Sequence, residues 1–373
     1  MNDTNSTFHK DFPVIGFIGL GLIGGSVAKT IRRIYPGTKM IGYNRRTDVA
    51  QKALSDGVIN EIADESLAQF SECDLIFLGV PVVSALSFME KLKLIAKSGA
   101  ILTDVGSVKG DIHGYVEEHG LETLFIGGHP MAGSEKTGYE NATDRLFENA
   151  FYMITPASGT SIVKLSAFAS FIESIGALPL IMSPEEHDRT VAAVSHLPHV
   201  ISAALVNLVH DQDGEEKYMH TVAAGGFRDI TRISSSSPQM WQEICLANTD
   251  EIVGMIDAYV SKLLDYRLAI RNEDSDELYA IFSDCKEYRD SFDTVAKGSV
   301  PKEYRIYMDL VDEAGSIASV ATILAVQNIS IKNIGIVHNR EFEQGVLRVV
   351  FYDEPSMESA IKTLTWRNYK IYR

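Results

Sequence analysis

The amino-acid sequence predicts an α/β protein in three parts, and the order of its strand and helix patterns is the basis for this prediction. Residues 12–182 alternate short apolar strands with helical patterns, which indicates a Rossmann-type doubly wound sheet. Residues 183–296 read as an all-helical middle domain, and residues 303–373 follow the order β-α-β-β-α-β of a ferredoxin-like α+β module. A chain of 373 residues is also too long for one hydrophobic core, so two or three domains are expected.

A glycine-rich turn follows the first predicted strand and opens a helix. The first glycine permits a tight turn, the second lets the backbone approach a pyrophosphate, and the third lets the helix pack on the strand. A second strand, Lys39 to Tyr43, follows at the distance of a crossover, which favours a dinucleotide cradle over a plain glycine turn. The expected cradle residues are Gly19, Gly21, Leu22, Ile23 and Gly24.

The residues after the second strand bear on the choice of cofactor. An acidic residue there accepts hydrogen bonds from a ribose 2′-hydroxyl, whereas arginines accommodate a 2′-phosphate. The strand is followed by Asn44, Arg45 and Arg46, so no carboxylate repels a phosphate and either arginine can pair with one. The alternative is that both arginines are solvated in a loop. NAD or NADP is therefore expected as cofactor.

The charge and the cysteine content of the chain limit the partners and compartments that are expected for it. The formal net charge of −16 argues against nucleic acid and anionic membrane surfaces. The cysteines, Cys73, Cys245 and Cys285, lack metal-ligand spacing and cannot all pair, which fits a reducing compartment. No segment has the pattern of a signal peptide, and none approaches a membrane span. We expect a cytoplasmic protein with no metal site.

Three segments are expected to meet at one edge of the sheet, because ligands of such sheets lie beyond the carboxyl ends of the strands. They are Val80–Pro81, Gly106–Lys109 and Gly128–Met131. His129 follows a predicted strand, between glycines and a proline, and has a side chain suited to general base catalysis near neutral pH. Ser107 can hydrogen-bond the same substrate hydroxyl, or it can cap the helix that follows it.

Two further segments carry candidate ligand-binding side chains. Ser195-His196-Leu197-Pro198-His199 places two histidines around a helix-kinking proline. No third ligand has suitable spacing for a metal, so one histidine is expected to contact substrate and the other to pack. Arg228 and Arg232 share one face of a predicted helix, before Trp241, and suit a carboxylate ligand unless they pair with surface acids such as Asp229.

The C-terminal module begins after a linker at 296–301. A strand ends and a helix opens near Asp312, Gly315 and Ser316, where free backbone amides can receive a carboxylate. In the middle domain, the apolar faces of 191–209 and 252–268 need a partner surface, which favours a homodimer over a self-contained bundle.

Five motifs in this order resemble the prephenate dehydrogenase family of tyrosine biosynthesis: G-L-G-L-I-G, D-V-G-S-V-K, G-G-H-P-M-A-G-S-E, S-H-L-P-H and G-G-F-R-D-I-T-R with P-Q-M-W. The resemblance covers nearly the whole chain. It implies oxidative decarboxylation of prephenate to 4-hydroxyphenylpyruvate with reduction of a nicotinamide. The terminal module is similar to an ACT domain, a regulatory fold that binds amino acids, and tyrosine is the feedback ligand that this implies.

The resemblance also implies roles for single residues. His129 is expected to assist deprotonation of the ring hydroxyl, Ser107 to orient it and Arg232 to bind a carboxylate. Positions that line the substrate pocket in the family correspond to Ser195, His199 and Trp241, and a polar position at its mouth corresponds to Glu135. Two positions depart from the family pattern: Arg228 stands where relatives often have lysine, and Asn44 where NAD-preferring relatives have aspartate.

Three other functions share parts of this pattern. An arogenate dehydrogenase uses the same scaffold on the amino analogue of prephenate. A catalytically silent, cofactor-sensing regulator would use the terminal module as its output, although the presence of His129, Ser107 and Arg232 argues against it. A β-hydroxyacid dehydrogenase shares the cradle but requires a catalytic lysine on the long helix, where this chain has histidines.

Overall fold

A computed structural model describes residues 12–133, 136–295, 304–309, 315–337, 346–367 and 369–372. The chain forms two compact units, one ending at Glu287 and one beginning at Tyr288. The linker expected at 296–301 lies outside the described residues. The three-domain division of the sequence analysis therefore stays a prediction.

The first unit begins with alternating strands and helices. Its strands are β1 (Val14–Ile18), β2 (Lys39–Tyr43), β3 (Glu61–Ile62), β4 (Leu75–Leu78), β5 (Ile101–Asp104), β6 (Ile126–Pro130), β7 (Phe151–Pro156) and β8 (Leu178–Ile181). The helices among them are α1 (Leu22–Ile34), α2 (Thr47–Ser55), α3 (Val82–Ile95), α4 (Gly110–Glu118) and α5 (Ile162–Ser174).

The first five strands form a parallel sheet in the order β3-β2-β1-β4-β5. Apolar side chains on both faces of these strands build two core clusters. Phe17 stacks on Phe77 in one of them at a ring distance of 5.3 Å, while Ile18 and Leu78 belong to the other. Such double-sided burial is the reason that these strands read as continuous apolar runs. The Rossmann-like parallel sheet predicted from the sequence is confirmed.

Strands β6, β7 and β8 form a second sheet, in which β6 runs antiparallel to β7. It continues from the first sheet through a bridge between Leu102 and Phe125. His129 lies inside β6, paired with Met153, and not in a loop after a strand as the sequence analysis expected. The expectation was wrong because its two glycines and proline read as a corner, whereas they sit in a strand that approaches its neighbours closely.

The middle region is helical, as predicted. Its helices are α6 (Pro184–Val191), α7 (Leu197–Gln212), α8 (Tyr218–Val222), α9 (Gly225–Thr231), α10 (Pro238–Ala247), α11 (Thr249–Arg271) and α12 (Ser275–Val295). A π-helical segment, Ala192–His196, joins α6 to α7 just before Pro198, whose ring cannot continue the regular hydrogen-bond ladder. Helices α10 and α11 are separated at Asn248, which caps α11 with φ of −127° and ψ of 40°.

The continuous helix over 184–212 is long and apolar enough to cross a membrane by length and composition alone. The expectation that no segment approaches a membrane span was wrong, because charged residues are confined to the ends and 190–209 contains no Asp, Glu, Lys or Arg. Within the protein the helix buries His196 and Ser202, which hydrogen-bond to Asn248 and Ser234 of other helical segments. These hydrogen bonds join the helix to other segments of the middle region.

The second unit has the predicted β-α-β-β-α-β order. Its elements are β9 (Tyr304–Asp309), α13 (Ser316–Val326), β10 (Ile331–Val337), β11 (Val346–Phe351), α14 (Glu354–Trp366) and β12 (Ile371–Tyr372). The sheet is antiparallel in the order β10-β11-β9-β12, and Ile306, Met308, Val320 and Leu364 are buried in its core. This is the topology of a ferredoxin-like module.

Candidate functional site

The turn between β1 and α1 has the geometry of a phosphate cradle. Gly19 has a φ of +94°, which favours glycine, and a Cβ on Gly24 would overlap the carbonyl oxygen of Gly19. A Cβ on Gly21 would meet nothing within 4 Å, so the turn is open at that point. Gly21 caps α1 without a side-chain hydrogen bond, and the first turn of α1 has no acidic residue. The helix therefore presents free amides to an anion, which fits the pyrophosphate of a dinucleotide.

A cleft of about 550 Å³ lies in front of this turn. The expected cofactor residues that line it are Gly19, Gly21, Asn44, Arg45, Arg46, Val80 and Pro81. Asn44 accepts a hydrogen bond from the Leu20 amide at 3.0 Å and donates one to the Arg46 carbonyl at 3.0 Å, so it fixes the cleft wall. Leu22, Ile23 and Gly24 form the first turn of α1 and do not line the cleft.

A second cleft of about 410 Å³ shares Val80 and Pro81 with the first and is lined by Ser107. Ser107 does not cap α4, because the helix begins at Gly110 and its cap is Lys109. The capping alternative for Ser107 is thereby wrong: two more loop residues separate Ser107 from the helix. Ser107 therefore lies in the loop between β5 and α4 and lines the second cleft.

The third cleft, of about 440 Å³, shares Met240 with the second. Five of the predicted site residues line it: His129, Ser195, His199, Arg232 and Trp241. Trp241 stacks on His199 with ring centroids 3.8 Å apart, and its indole Nε1 is buried without a hydrogen-bond partner among the described residues. The three clefts are thus connected through shared lining residues and form a row from the glycine turn to Arg232.

The charge of the third cleft suits an anion. Burial, and secondarily the positive charge of Arg232, lowers the pKa of His199 below its usual 6.5, so His199 is neutral at pH 7. His196, the other histidine of the motif, is 1% exposed and hydrogen-bonds to Asn248 at 3.2 Å. Burial lowers the pKa of His196 to about 4. Arg232 therefore supplies the positive charge of this cleft while the nearby histidines stay neutral.

One expected substrate residue, Arg228, is not brought to the cleft. Arg228 is exposed and does not line it. The helix α9 ends at Thr231, and Arg232 begins a 3₁₀ turn that runs to Ser235, so the two arginines do not share one regular helical face. Glu135 lies outside the described residues, as does Asp312 in the second unit. The assignments of Arg228, Glu135 and Asp312 stay predictions.

A buried ion pair connects the segments that carry Ser107 and His129. The Lys109 ammonium contacts the Asp104 carboxylate at 2.5 Å, and both side chains are almost fully buried. Asp104 also accepts hydrogen bonds from the amide of Gly106 at 2.8 Å and that of Gly128 at 3.1 Å. A Cβ on Gly128 would lie 2.8 Å from the Asp104 carbonyl oxygen, so this close approach requires glycine. Asp104 therefore fixes the residues that directly precede Ser107 and His129.

His129 is hydrogen-bonded to a second buried histidine. Its Nδ1 lies 2.8 Å from Nε2 of His187, and Nδ1 of His187 lies 2.7 Å from the Asp188 carboxylate. The amides of Lys109 and Gly110 donate to Asp188 at 2.8 and 2.7 Å. Burial, then the positive charge of Lys109, lowers the pKa of His129 well below 6.5. His129 is therefore an unprotonated imidazole at neutral pH, as a general base requires.

His187 and Asp188 were not among the residues expected from the sequence. They lie in the first turns of α6, behind a capping box formed by Ser183 and Glu186, and the segment read as an ordinary polar helix start. Burial of a His-Asp pair at the start of a helix cannot be read from local periodicity. The one available signal was the adjacency of the two residues directly before an apolar helix.

The chain is similar to known proteins over most of its length. Residues 27–180 match the family model "Prephenate dehydrogenase, nucleotide-binding domain", and residues 183–284 match "Prephenate dehydrogenase, dimerization domain". The chain is similar to the prephenate dehydrogenase of Bacillus subtilis, with 38% identity over 92% of this chain and 93% of the relative. It is also similar to the prephenate dehydrogenase of Lactococcus lactis, with 33% identity over 92% and 95% of the two chains.

Solved structures show the same likeness. The prephenate dehydrogenase of Aquifex aeolicus in complex with hydroxyphenyl propionate and NAD+ has a TM-score of 0.71 and 34% identity, over 75% of this chain and 98% of that chain. The arogenate dehydrogenase of Synechocystis has a TM-score of 0.68 and 32% identity, over 75% of this chain and 99% of that chain.

Proposed function

The chain belongs to the prephenate dehydrogenase family, and from that premise we propose that it catalyses the NAD(P)-dependent oxidative decarboxylation of prephenate to 4-hydroxyphenylpyruvate. The observation that carries the proposal is the row of connected clefts. An unprotonated His129 and a positively charged Arg232 line one end, and the glycine turn lies at the other. A dianionic substrate with an oxidisable hydroxyl fits this combination.

The reaction needs little covalent chemistry from the protein. A bound nicotinamide supplies the acceptor for the hydride that leaves the hydroxyl-bearing ring carbon. Loss of carbon dioxide then makes the ring aromatic, which drives the reaction. The protein holds the ring in place, and His129 takes the hydroxyl proton as carbonyl character develops, with Ser107 as the second hydrogen-bonding group on that hydroxyl. Only Nε2 of His129 is available for this, because Nδ1 is hydrogen-bonded to His187.

Arg232 is the proposed partner of a substrate carboxylate. We expect Arg232→Ala to raise KM for prephenate roughly 10- to 100-fold with a smaller effect on kcat, since a hydrogen bond to a charged group contributes about 1.5–3 kcal/mol. Arg232→Lys keeps the charge but loses the bidentate geometry, so its KM should lie between those of wild type and Arg232→Ala. Steady-state kinetics check this. An unchanged KM in Arg232→Ala would remove Arg232 from carboxylate binding.

NAD and NADP are both compatible with the cofactor cleft. Asn44 carries no charge that would repel a 2′-phosphate, and Arg45 and Arg46 are exposed on the cleft wall. Arg46 has a surface ion pair with Asp48 at 3.9 Å, which is too exposed to hold it away from a phosphate.

The absorbance of reduced nicotinamide tests the proposed reaction. Purified protein is supplied with prephenate or arogenate and with NAD or NADP, in all four combinations. Signal with prephenate supports the proposed function, and the dinucleotide that gives it shows the role of Asn44, Arg45 and Arg46. Signal with arogenate alone makes the chain an arogenate dehydrogenase. Absence of signal in all four combinations contradicts an enzymatic role and favours a cofactor-sensing regulator.

For the second unit we propose the role of an ACT-like module that binds tyrosine. The supporting feature is the start of α13, where Gly315 has a φ of +95° and caps the helix without a side-chain hydrogen bond. The amides of Gly315 and Ser316 are the groups that we propose bind the tyrosine carboxylate. We expect deletion of residues 303–373 to abolish inhibition by tyrosine while prephenate turnover persists. Equal inhibition of the truncated and full chains would place the inhibitor elsewhere.

A homodimer is the proposed assembly. The chain matches a dimerization domain over residues 183–284, and large apolar side chains are exposed on its helices. They include Leu208, Leu246, Val253, Val260, Leu264, Leu268 and Phe282. Exposed apolar side chains in this number favour association with a second copy.

A further inference from the structure

The hydrogen bonds between Asp188, His187 and His129 determine which nitrogen of each ring carries a proton. An ionised carboxylate only accepts, so the Asp188 side chain requires a proton on Nδ1 of His187. In a neutral His187, Nε2 is then the acceptor, and it receives the proton on Nδ1 of His129. The unprotonated nitrogen of His129 is therefore Nε2. Both rings thus have a defined tautomer before any substrate arrives.

We propose that His187 and Asp188 are positioning residues that hold the transferred proton during catalysis, so that the general base of this protein is a three-residue relay. When His129 accepts the substrate proton at Nε2, its Nδ1 proton can move to Nε2 of His187 over 2.8 Å. The positive charge then lies on His187, 2.7 Å from Asp188. This proposal rests on the proposed function, because it concerns how the same reaction is served.

The proton balance of the reaction explains why a group that holds one proton for a short time is useful. The O–H bond of the substrate breaks as an N–H bond forms at His129, and an N–H bond of His129 breaks as one forms at His187. When the ring loses carbon dioxide, the ring oxygen becomes a phenolate and takes the proton back along the same path. No net proton is released, so the relay needs only to store one proton and return it.

Burial makes Asp188 necessary for this storage. His187 has no exposed surface, and desolvation lowers its pKa, while hydrogen bonding to Asp188 raises it. The other charged groups that affect the two rings are Lys109, which lowers both pKa values, and Asp104, which raises that of His187. His196 also lowers the pKa of His129. Asp188 thus counters the desolvation and the Lys109 charge that oppose a buried imidazolium.

The fixed position of Asp188 also supports its role beside His187. Its two oxygens receive the amides of Lys109 and Gly110 at the start of α4, and Asn248 donates to its backbone carbonyl at 2.9 Å. Two other segments, the start of α4 and the one that carries Asn248, therefore hold it in place. A carboxylate placed in this way orients a histidine and stabilises its protonated form, as in other hydrogen-bonded acid-base pairs.

Asp188→Asn is the direct test. We expect kcat for prephenate to fall roughly 10²-fold with KM little changed, since the charge on the stored proton loses its counter-ion. The pH profile separates this role from a structural one. Activity requires unprotonated rings and falls as pH drops through their pKa, and loss of the Asp188 charge lowers that pKa further. The acid limb of kcat should therefore move to lower pH. A lower kcat with an unmoved limb would overturn the proposal.

Glu185→Gln is the matched control, because it removes another carboxylate from α6, whereas the hydrogen bonds of the two histidines are made with each other and with Asp188. Its kcat and acid limb should match the wild type. A second measurement does not depend on variants or turnover: ¹⁵N NMR of histidine-labelled wild-type protein should show His129 and His187 both protonated at Nδ1 alone near pH 7. A proton on Nε2 of His129 would overturn the relay even if the protein oxidises prephenate. Absence of prephenate oxidation with the expected tautomers would count against the proposed function alone.

Discussion

Replacement of His129 by Asn should lower kcat for prephenate roughly 10²- to 10⁴-fold, the usual contribution of a general base. An asparagine side chain can still hydrogen-bond in the cleft, but it cannot accept a proton at neutral pH. Arg232 and Trp241 still line the third cleft, where prephenate is proposed to bind, so prephenate binding should change little in this variant. Steady-state kinetics give kcat, and calorimetric titration of prephenate into the dinucleotide complex gives the binding constant.

His113→Asn is a suitable control for this experiment. His113 is also a buried histidine, and burial lowers its pKa to about 4. It hydrogen-bonds to Thr155 at 2.9 Å and lines neither the cofactor cleft nor the third cleft. Its replacement should leave kcat near the wild-type value. If His129→Asn and His113→Asn had the same kcat, His129 would have no specific part in the chemistry.

The second large effect is expected at Lys109. Lys109→Met should reduce the stability of the first unit by about 3–5 kcal/mol, because it leaves the Asp104 carboxylate buried without its counter-ion. Both members of the pair are almost inaccessible, so water cannot compensate. Activity should fall as well, since Asp104 holds the residues before Ser107 and His129. Thermal and urea unfolding followed by circular dichroism measure the stability.

Lys97→Met provides the comparison. The Lys97 ammonium also contacts a carboxylate, that of Asp74 at 2.6 Å, but its side chain is 38% exposed. An exposed pair of this kind contributes at most about 1 kcal/mol. Adding Asp104→Asn to Lys109→Met should restore part of the stability, since it removes the buried charge. Equal losses in Lys97→Met and Lys109→Met would contradict the special role of the buried pair.

The glycine turn shows what could be predicted from the sequence. Gly19 and Gly24 contact each other across five positions, so the pattern that encodes the turn is local and visible. The strand ends before Val80 and Ser107 were also predictable, because parallel strands of a doubly wound sheet end at one edge. Those rules brought Ser107 and the cofactor residues to connected clefts without any knowledge of side-chain contacts.

The relay shows what could not be predicted. His187 reaches His129 across 58 positions and Asp104 reaches Gly128 across 24, and neither contact leaves a trace in periodicity or composition. The expectation that His129 lies in a loop was wrong, because a Gly-Gly-His-Pro segment was assigned to a loop and forms a strand. The place where α9 ends was likewise invisible, since Thr231 and Arg232 have no strong helix-stop signal.

The central claim is that this chain oxidises and decarboxylates prephenate in one active site. The most direct measurement is the stoichiometry of products from prephenate and the preferred dinucleotide in a sealed reaction, with reduced nicotinamide, carbon dioxide and 4-hydroxyphenylpyruvate all quantified. We predict equal amounts of the three products. Reduced nicotinamide without carbon dioxide, or no reduced nicotinamide at all, would contradict the account.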